Sequence, residues 1–211
     1  SSDLIYSGAN KTITHSEVQA IASELSSSDV LLVQLENNLD AIVALIEMAH
    51  GLGKTVILNP APYSDEIIPC LPFVDVITPN ETEASLLSGV DVRDLDTAKE
   101  AALIIADMGA KKVLITMGSR GALLLDNKQF SHIRAFPAVT VDTTGAGDVF
   151  HGAFTYGVHY SWHIDNIILF ASLTAAISIE KKGVRESMPD LAVVHHSLNS
   201  YERNLTQYFE E

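Results

Sequence analysis

Helical patterns and short apolar runs alternate almost throughout the chain. Ser16–Leu25 is expected to form an amphipathic helix, and Val30–Leu35 (VLLVQL) a buried strand. A helix from about Leu39 to His50 and a strand at Thr55–Leu58 come next, with Gly51 and Gly53 marking the helix end. A strand at Val74–Thr78 precedes a helix starting near Glu81, and Asp96 is the expected cap of a further helix that runs to Met108 and stops at Gly109. Val113–Thr116 and Ala122–Asp126 are β-rich runs separated by the turn MGSRG, a hairpin-like excursion. After a looser stretch, helices are expected at Ala146–Tyr160 and Ile164–Lys181, with a last amphipathic helix from Asp190 to about Phe209. Such alternation implies parallel βαβ units in a three-layer α/β/α fold with a mostly parallel sheet.

Several of these strands end in a polar or glycine-containing signature: Glu36 after VLLVQL, Asn59-Pro60 after VIL, Pro79-Asn80 after DVIT, and Met117-Gly118 after VLIT. Open α/β sheets bind ligands at the carboxyl ends of their strands. One such ending is ordinary loop chemistry; four on one rim locate a cleft.

The length of 211 residues and 47% hydrophobic content suffice for one cored domain over 1–211. The formal charge of −14 argues against nucleic acid and anionic membranes as partners, both of which select basic patches. A phosphorylated ligand still suits an acidic chain when Mg²⁺ and backbone N–H groups supply the local positive field. The single cysteine, Cys70, allows no intrachain disulfide and fits a reducing compartment. The opening residues SSDLIYSGAN lack a signal-peptide layout, and no apolar run approaches membrane-spanning length. The expectation is a soluble, cytoplasmic protein.

The most informative stretch is VDTTGAGDVFHGAF, Val141–Phe154. Gly145 and Gly147 bracket Ala146 at the start of an apolar helix, where free N–H groups attract anions and glycine lets a ligand approach the backbone. An acid inside a pure phosphate cradle would repel its ligand. Asp148 makes sense as a general base on a neutral hydroxyl, with the N–H groups holding the charge that spreads over a transferring phosphoryl group. A glycine-rich loop capped by an aspartate has the same spacing, so both readings stand on these residues alone.

DTTGAGD followed by a hydrophobic helix resembles the signature of the ribokinase-like carbohydrate kinases of the PfkB superfamily. LLVQLE, LNPAP, ITPNETEA, ITMGSRG and AAISIEKKG occur in the order and approximate spacing of that family, from about Ile5 onward. LNPAP and TPNETEA point to its ribokinase branch. The resemblance implies an ATP-dependent kinase acting on a small-molecule sugar, ribose first and another pentose or a ketohexose behind it. It implies ATP, Mg²⁺ and a monovalent cation, K⁺, as cofactors, and a homodimer in the full-length protein. Asp148 corresponds to the catalytic base, and Gly145, Ala146 and Gly147 to the anion hole. Asn80 and Glu83 correspond to the motif that organises Mg²⁺ and its waters, although N-x-x-E is also the form of a helix capping box. Thr116, Gly118, Ser119 and Gly121 correspond to the nucleotide loop, which is compatible with a tight turn. Ser172 falls on the helix that closes over the adenine. Asp142 and Thr144 correspond to one side of the cation site, and Ser178, Lys181, Gly183 and Ser187 to the other. Asp142 alone is equally a turn-forming aspartate. Glu36 corresponds to a sugar-binding carboxylate, against the alternative of a solvated loop residue before Asn37-Asn38.

His195 and His196, adjacent on a helix, make a poor metal pair. Cys70 is expected to be inert, Tyr160 and Trp162 to pack between helices, and His151 to pack near the site. The chain departs from the family in showing neither its Gly-Gly sugar motif nor its sugar-gripping aspartate. Residues 1–10 resemble the return strand of a small β-lid, so the N-terminal part of the fold is expected to be missing. The isolated chain is then expected to bind ATP weakly, to associate, and to need that half for sugar turnover. A non-catalytic nucleotide- or sugar-binding module is the alternative. A Rossmann-type dinucleotide enzyme is disfavoured, because no G-x-G-x-x-G follows a first strand.

Overall fold

The computed structural model describes residues 8–201 and 209–210. The chain forms two compact units, Ser1–Leu114 and Ile115–Glu211, and the division falls within strand β4, Lys112–Thr116.

In the first unit, helices α1 (His15–Ala20) and α2 (Ala22–Ser27) lead into β1 (Val30–Val33), α3 (Leu39–Gly51) and β2 (Thr55–Leu58). Strand β3 (Val76–Ile77), α4 (Glu81–Ser88), α5 (Leu95–Asp107) and the start of β4 complete it. The pairing is parallel throughout: Val30 to Val33 of β1 run beside Thr55 to Leu58 of β2, Ile57 and Leu58 beside Val76 and Ile77, and Ile77 beside Val113. A parallel strand needs cover on both faces. Accordingly Val56, Ile57, Leu58, Ile77, Val113 and Leu114 are fully buried with no alternation of polar residues. Asp75, just before β3, ties this sheet at the starting ends of its strands, accepting the Val56 N–H at 2.8 Å and the Lys111 ammonium at 2.6 Å.

The expected helix over Ser16–Leu25 is broken. Ile21 takes φ −91° and ψ 11°, ending α1 and starting α2. Asp96 is not the cap of α5. Asp94 is, because its extended backbone lets its carboxylate accept the Thr97 N–H at 2.9 Å while the Thr97 hydroxyl accepts the Asp94 N–H at 3.1 Å. Asp96 stands in the first turn. Of the supposed lid strand, residues 1–7 lie outside the described residues, and Gly8–Thr12 forms a short 3₁₀ helix instead.

In the second unit, β5 (Ala122–Asp126) pairs antiparallel with β6 (Gln129–Ile133), from Ala122 opposite Ile133 to Asp126 opposite Gln129. Asn127 and Lys128, at φ 48° and 66°, make the two-residue turn that a right-twisted hairpin favours. The antiparallel partner of β5 is therefore the run after it, which the apolar pattern leaves as a looser stretch. Helices α6 (Ala146–His159), α7 (Ile164–Ser178), α8 (Val184–Ser187) and α9 (Leu191–Tyr201) follow, and Phe209–Glu210 (β7) pairs with β6. The helix expected to run to about Phe209 is thus seen only to Tyr201; residues 202–208 lie outside the described residues, and Phe209 is in a strand. α6 and α7 lie close because Gly157 has no side chain: a Cβ there would stand 2.9 Å from Ile167. Tyr156, Trp162 and Phe170 fill the far end of that helix pair, with Tyr160 stacked at the exposed rim.

Candidate active site

A cavity of about 680 Å³ opens in the second unit, within the ~300–1,000 Å³ usual for small-molecule sites. Three of the segments that line it carry residues expected from the sequence. The first is the turn after β4, where Gly118–Arg120 forms a single 3₁₀ turn closed by the Met117 N–H on the Gly121 carbonyl at 2.8 Å. Thr116 at the end of β4 and Gly118, Ser119 and Gly121 of this turn all face the cavity. The second is the start of α6. Gly145 takes the left-handed conformation at φ 78°, and a Cβ there would meet Val184 at 2.8 Å. Ala146 and Gly147 line the cavity, and nothing stands within 4 Å of where a Gly147 Cβ would be. The third is α7 with its C-cap, which presents Ser172, Ala175, Ala176 and Ile179. Those four lie at i, i+3, i+4 and i+7, one helical face of small and apolar side chains. Phe136, Pro137 and Ala138, outside the sequence motifs, and Phe150, within VDTTGAGDVFHGAF, add apolar walls. His151, 5% exposed and edge-on to Phe150, lines the same cavity.

Asp148 stands one residue past Gly147 in the first turn of α6 and is exposed. It is near the cavity in sequence but not one of its walls. Gly145 likewise shapes the helix start from outside the cavity.

Of the expected cation residues, Asp142 is bonded to Thr144 and Gly183, and Ser178 to Lys181. Asp142 accepts the Thr144 N–H at 3.0 Å on one carboxylate oxygen and the Gly183 N–H at 3.2 Å on the other. Hydrogen bonding to Thr144 first, then to Gly183, holds its carboxyl below the usual range. This contact is therefore intact at neutral pH and lost only as pH falls through that depressed value. Val141 and Asp142 also donate to the Ile179 carbonyl, at 2.7 and 3.1 Å. Ser178 and Ser187, both 3% exposed, donate their hydroxyl protons to the Ala175 and Val184 carbonyls. Their oxygens keep lone pairs, as oxygen-only ligation of a monovalent cation requires. Lys181 closes the same turn, its N–H on the Ser178 carbonyl at 3.3 Å.

In the first unit, Asn80 and Glu83 form a complete capping box at the start of α4. Glu83 accepts the Asn80 N–H and side-chain amide, both at 2.9 Å, and its own N–H returns to the Asn80 side chain at 2.9 Å. Burial pushes the Glu83 carboxyl up, against these two hydrogen bonds. Each of its oxygens keeps a lone pair, which suits a water-mediated hold on a hydrated Mg²⁺ more than direct ligation. Glu36 is exposed in the segment after β1. A second cavity of about 540 Å³ in that unit has Lys11, Thr14, Asn38 and Asp40 among its walls, but not Glu36. Cys70 is buried, and burial pushes its thiol up, as expected of an unreactive cysteine. Among the described residues no three His, Cys, Asp or Glu side chains gather as metal ligands, and no helix is long and apolar enough to cross a membrane.

The family described as pfkB family carbohydrate kinase matches residues 2–191, and so reaches into both units. Ribokinase of Haemophilus influenzae is 38% identical over 189 residues, which cover 88% of this chain and 61% of the relative. A deoxyribokinase of Salmonella typhimurium is 35% identical, covering 89% and 62%. Among solved structures, ribokinase of Thermotoga maritima aligns with a TM-score of 0.82 at 31% identity, over 93% of this chain and 64% of that one. Arabidopsis thaliana ribokinase, complexed with ribose and ATP, aligns at 0.81 and 28% identity, over 92% and 64%. These likenesses show the three-layer α/β/α ribokinase-like fold with a mostly parallel sheet. The chain spans somewhat under two thirds of the length of the curated relatives it matches.

Proposed function

Because this chain belongs to the pfkB family of carbohydrate kinases, we propose that it carries the nucleotide-binding and catalytic part of a sugar kinase that moves the γ-phosphoryl group of ATP onto a sugar hydroxyl. One observation carries the reading. Thr116, Gly118, Ser119 and Gly121, Ala146 and Gly147, and Ser172 come from three distant segments and line one cavity. The apolar side, with Phe136, Ala175 and Ala176, suits a purine, and the glycine-rich side suits phosphates lying against backbone.

Asp148 takes the proton of the attacking hydroxyl as its oxygen bonds to the γ-phosphorus and the bond to the β–γ bridging oxygen breaks, releasing ADP. The N–H groups at the start of α6 stabilise the charge on the transferring group. Asn80 and Glu83, in the first unit, would hold Mg²⁺ through water, and the ion would supply charge neutralisation when bound. Glu36 is the proposed acceptor of sugar hydroxyl protons. Ribose is the first acceptor on the ribokinase relatives, and 2-deoxyribose the second on the deoxyribokinase.

Phosphoryl transfer from Mg-ATP to a panel of pentoses and ketohexoses tests this, with the part of the relatives that this chain does not match supplied in the same chain or in trans. Transfer to ribose is expected, and the absence of transfer to every sugar would overturn the reading. In the same assay K⁺ should raise the rate over a bulky organic cation at equal ionic strength. Because Asp142 joins the loop before α6 to Gly183, these residues would transmit the ordering effect of a bound ion to the anion hole, so kcat should respond at least as much as sugar KM. Equal rates in the two salts would remove the cation site.

A further inference from the structure

Residues 134–143, between β6 and α6, have no regular structure, yet Phe136, Pro137, Ala138, Thr140 and Thr143 form one wall of the cavity. An irregular wall has no ladder to hold it, so its backbone groups must be satisfied elsewhere. Three of its N–H groups are satisfied at the end of α7, the helix that forms another wall of the cavity. The Ile179 carbonyl, left open by the helix terminus, accepts the N–H groups of Val141 and Asp142 at 2.7 and 3.1 Å. The Glu180 carboxylate reaches back across the gap and accepts the Val139 N–H at 3.0 Å. Val139 itself is 77% exposed, so side-chain packing does little to fix this part of the strap.

We propose that Glu180 is a positioning residue for the nucleotide: it clasps the 134–143 strap to α7 and so sets the spacing of two cavity walls. The inference rests on the reading of this cavity as the ATP site. Glu180 is not a wall of the cavity and belongs to none of the candidate catalytic or cation residues. Its substitution leaves the cation residues themselves unchanged, whereas changing Asp142 would alter the cation site directly.

The test compares the chain with its Glu180→Ala and Glu180→Gln variants. Alanine removes the acceptor, while glutamine keeps a carbonyl oxygen at the same reach. Titration with Mg-ATP should show an about fivefold to tenfold weaker Kd in Glu180→Ala, the scale of one lost hydrogen bond. Glu180→Gln should stay within about twofold of the unchanged chain. Amide exchange at Val139 should quicken in the alanine variant alone. Both variants should melt close to the unchanged chain, since the side chain is exposed. Equal ATP affinity in all three chains overturns the clasp and leaves the nucleotide reading standing. Faster Val139 exchange without weaker binding makes Glu180 structural only, which also overturns the proposal. Absence of nucleotide binding in the unchanged chain overturns the nucleotide reading and this proposal together.

Discussion

Asp148→Asn is expected to lower kcat for sugar phosphorylation at least about a hundredfold while leaving ATP affinity nearly unchanged. Asparagine keeps the size of the side chain in the first turn of α6 and removes its charge and its ability to take a proton. The residue lies one position past the cavity wall at Gly147 and is exposed, so the substitution neither fills the nucleotide space nor opens a buried void. A loss confined to kcat is what removal of an interaction made only in the transition state produces. Kinetics with ribose and ATP, with the unmatched part of the relatives supplied as above, give the comparison. A variant with unchanged turnover would show that the proton leaves by another route. A variant whose ATP affinity collapses would place Asp148 in nucleotide binding instead.

Gly121→Ala should cost about 3 kcal/mol or more of stability. Two effects add. Gly121 sits at φ 90° and ψ −139°, a backbone region that side chains avoid. A Cβ built there would lie 1.9 Å from the Ile133 carbonyl oxygen, 2.8 Å from the Ala135 nitrogen and 2.9 Å from the Arg134 carbonyl carbon. All three are backbone atoms, so no side-chain rotation relieves the clash; β6 or the turn must move. At about 2–4 °C per kcal/mol for a chain of this length, the melting temperature should fall by about 6 °C or more. The contrasting control is Gly118→Asn. Nothing stands within 4 Å of its Cβ position, and φ is 53°, where asparagine is tolerated. A Gly121→Ala variant as stable as the unchanged chain would mean that the turn rearranges at little cost.

Much of this arrangement is legible in the chain because local chemistry and long-range packing agree there. Thr55–Leu58 and Ala122–Asp126 form strands over the same residues that their apolar runs mark, and α4 starts at Glu81 because Asn80 and Glu83 close a capping box. The misses occur where two local signals compete. Asp94 and Asp96 are both acceptable caps, and only Thr97, three residues after Asp94, decides between them. Gln129–Ile133 alternates weakly and becomes a strand through its ladder to β5, across a turn whose Asn127-Lys128 lacks glycine. The site divides in the same way. Its glycine-rich and polar residues carry the motifs, whereas the apolar Phe136, Phe150, Ala175 and Ala176, the last three inside motif segments, give no sign of lining a cavity until the fold sets them around one space. The signal that would have found part of that wall is the Ser172, Ala175, Ala176, Ile179 spacing along α7.

Calorimetric titration of the chain with Mg-ATP, beside an Ala176→Trp variant that fills the cavity from α7, tests most directly whether this cavity is the ATP site. The expected result is one nucleotide bound per chain, displaced by ADP and indifferent to NAD, with affinity at least about tenfold weaker in Ala176→Trp. No binding to the unchanged chain, or binding that the tryptophan leaves untouched, would contradict the account.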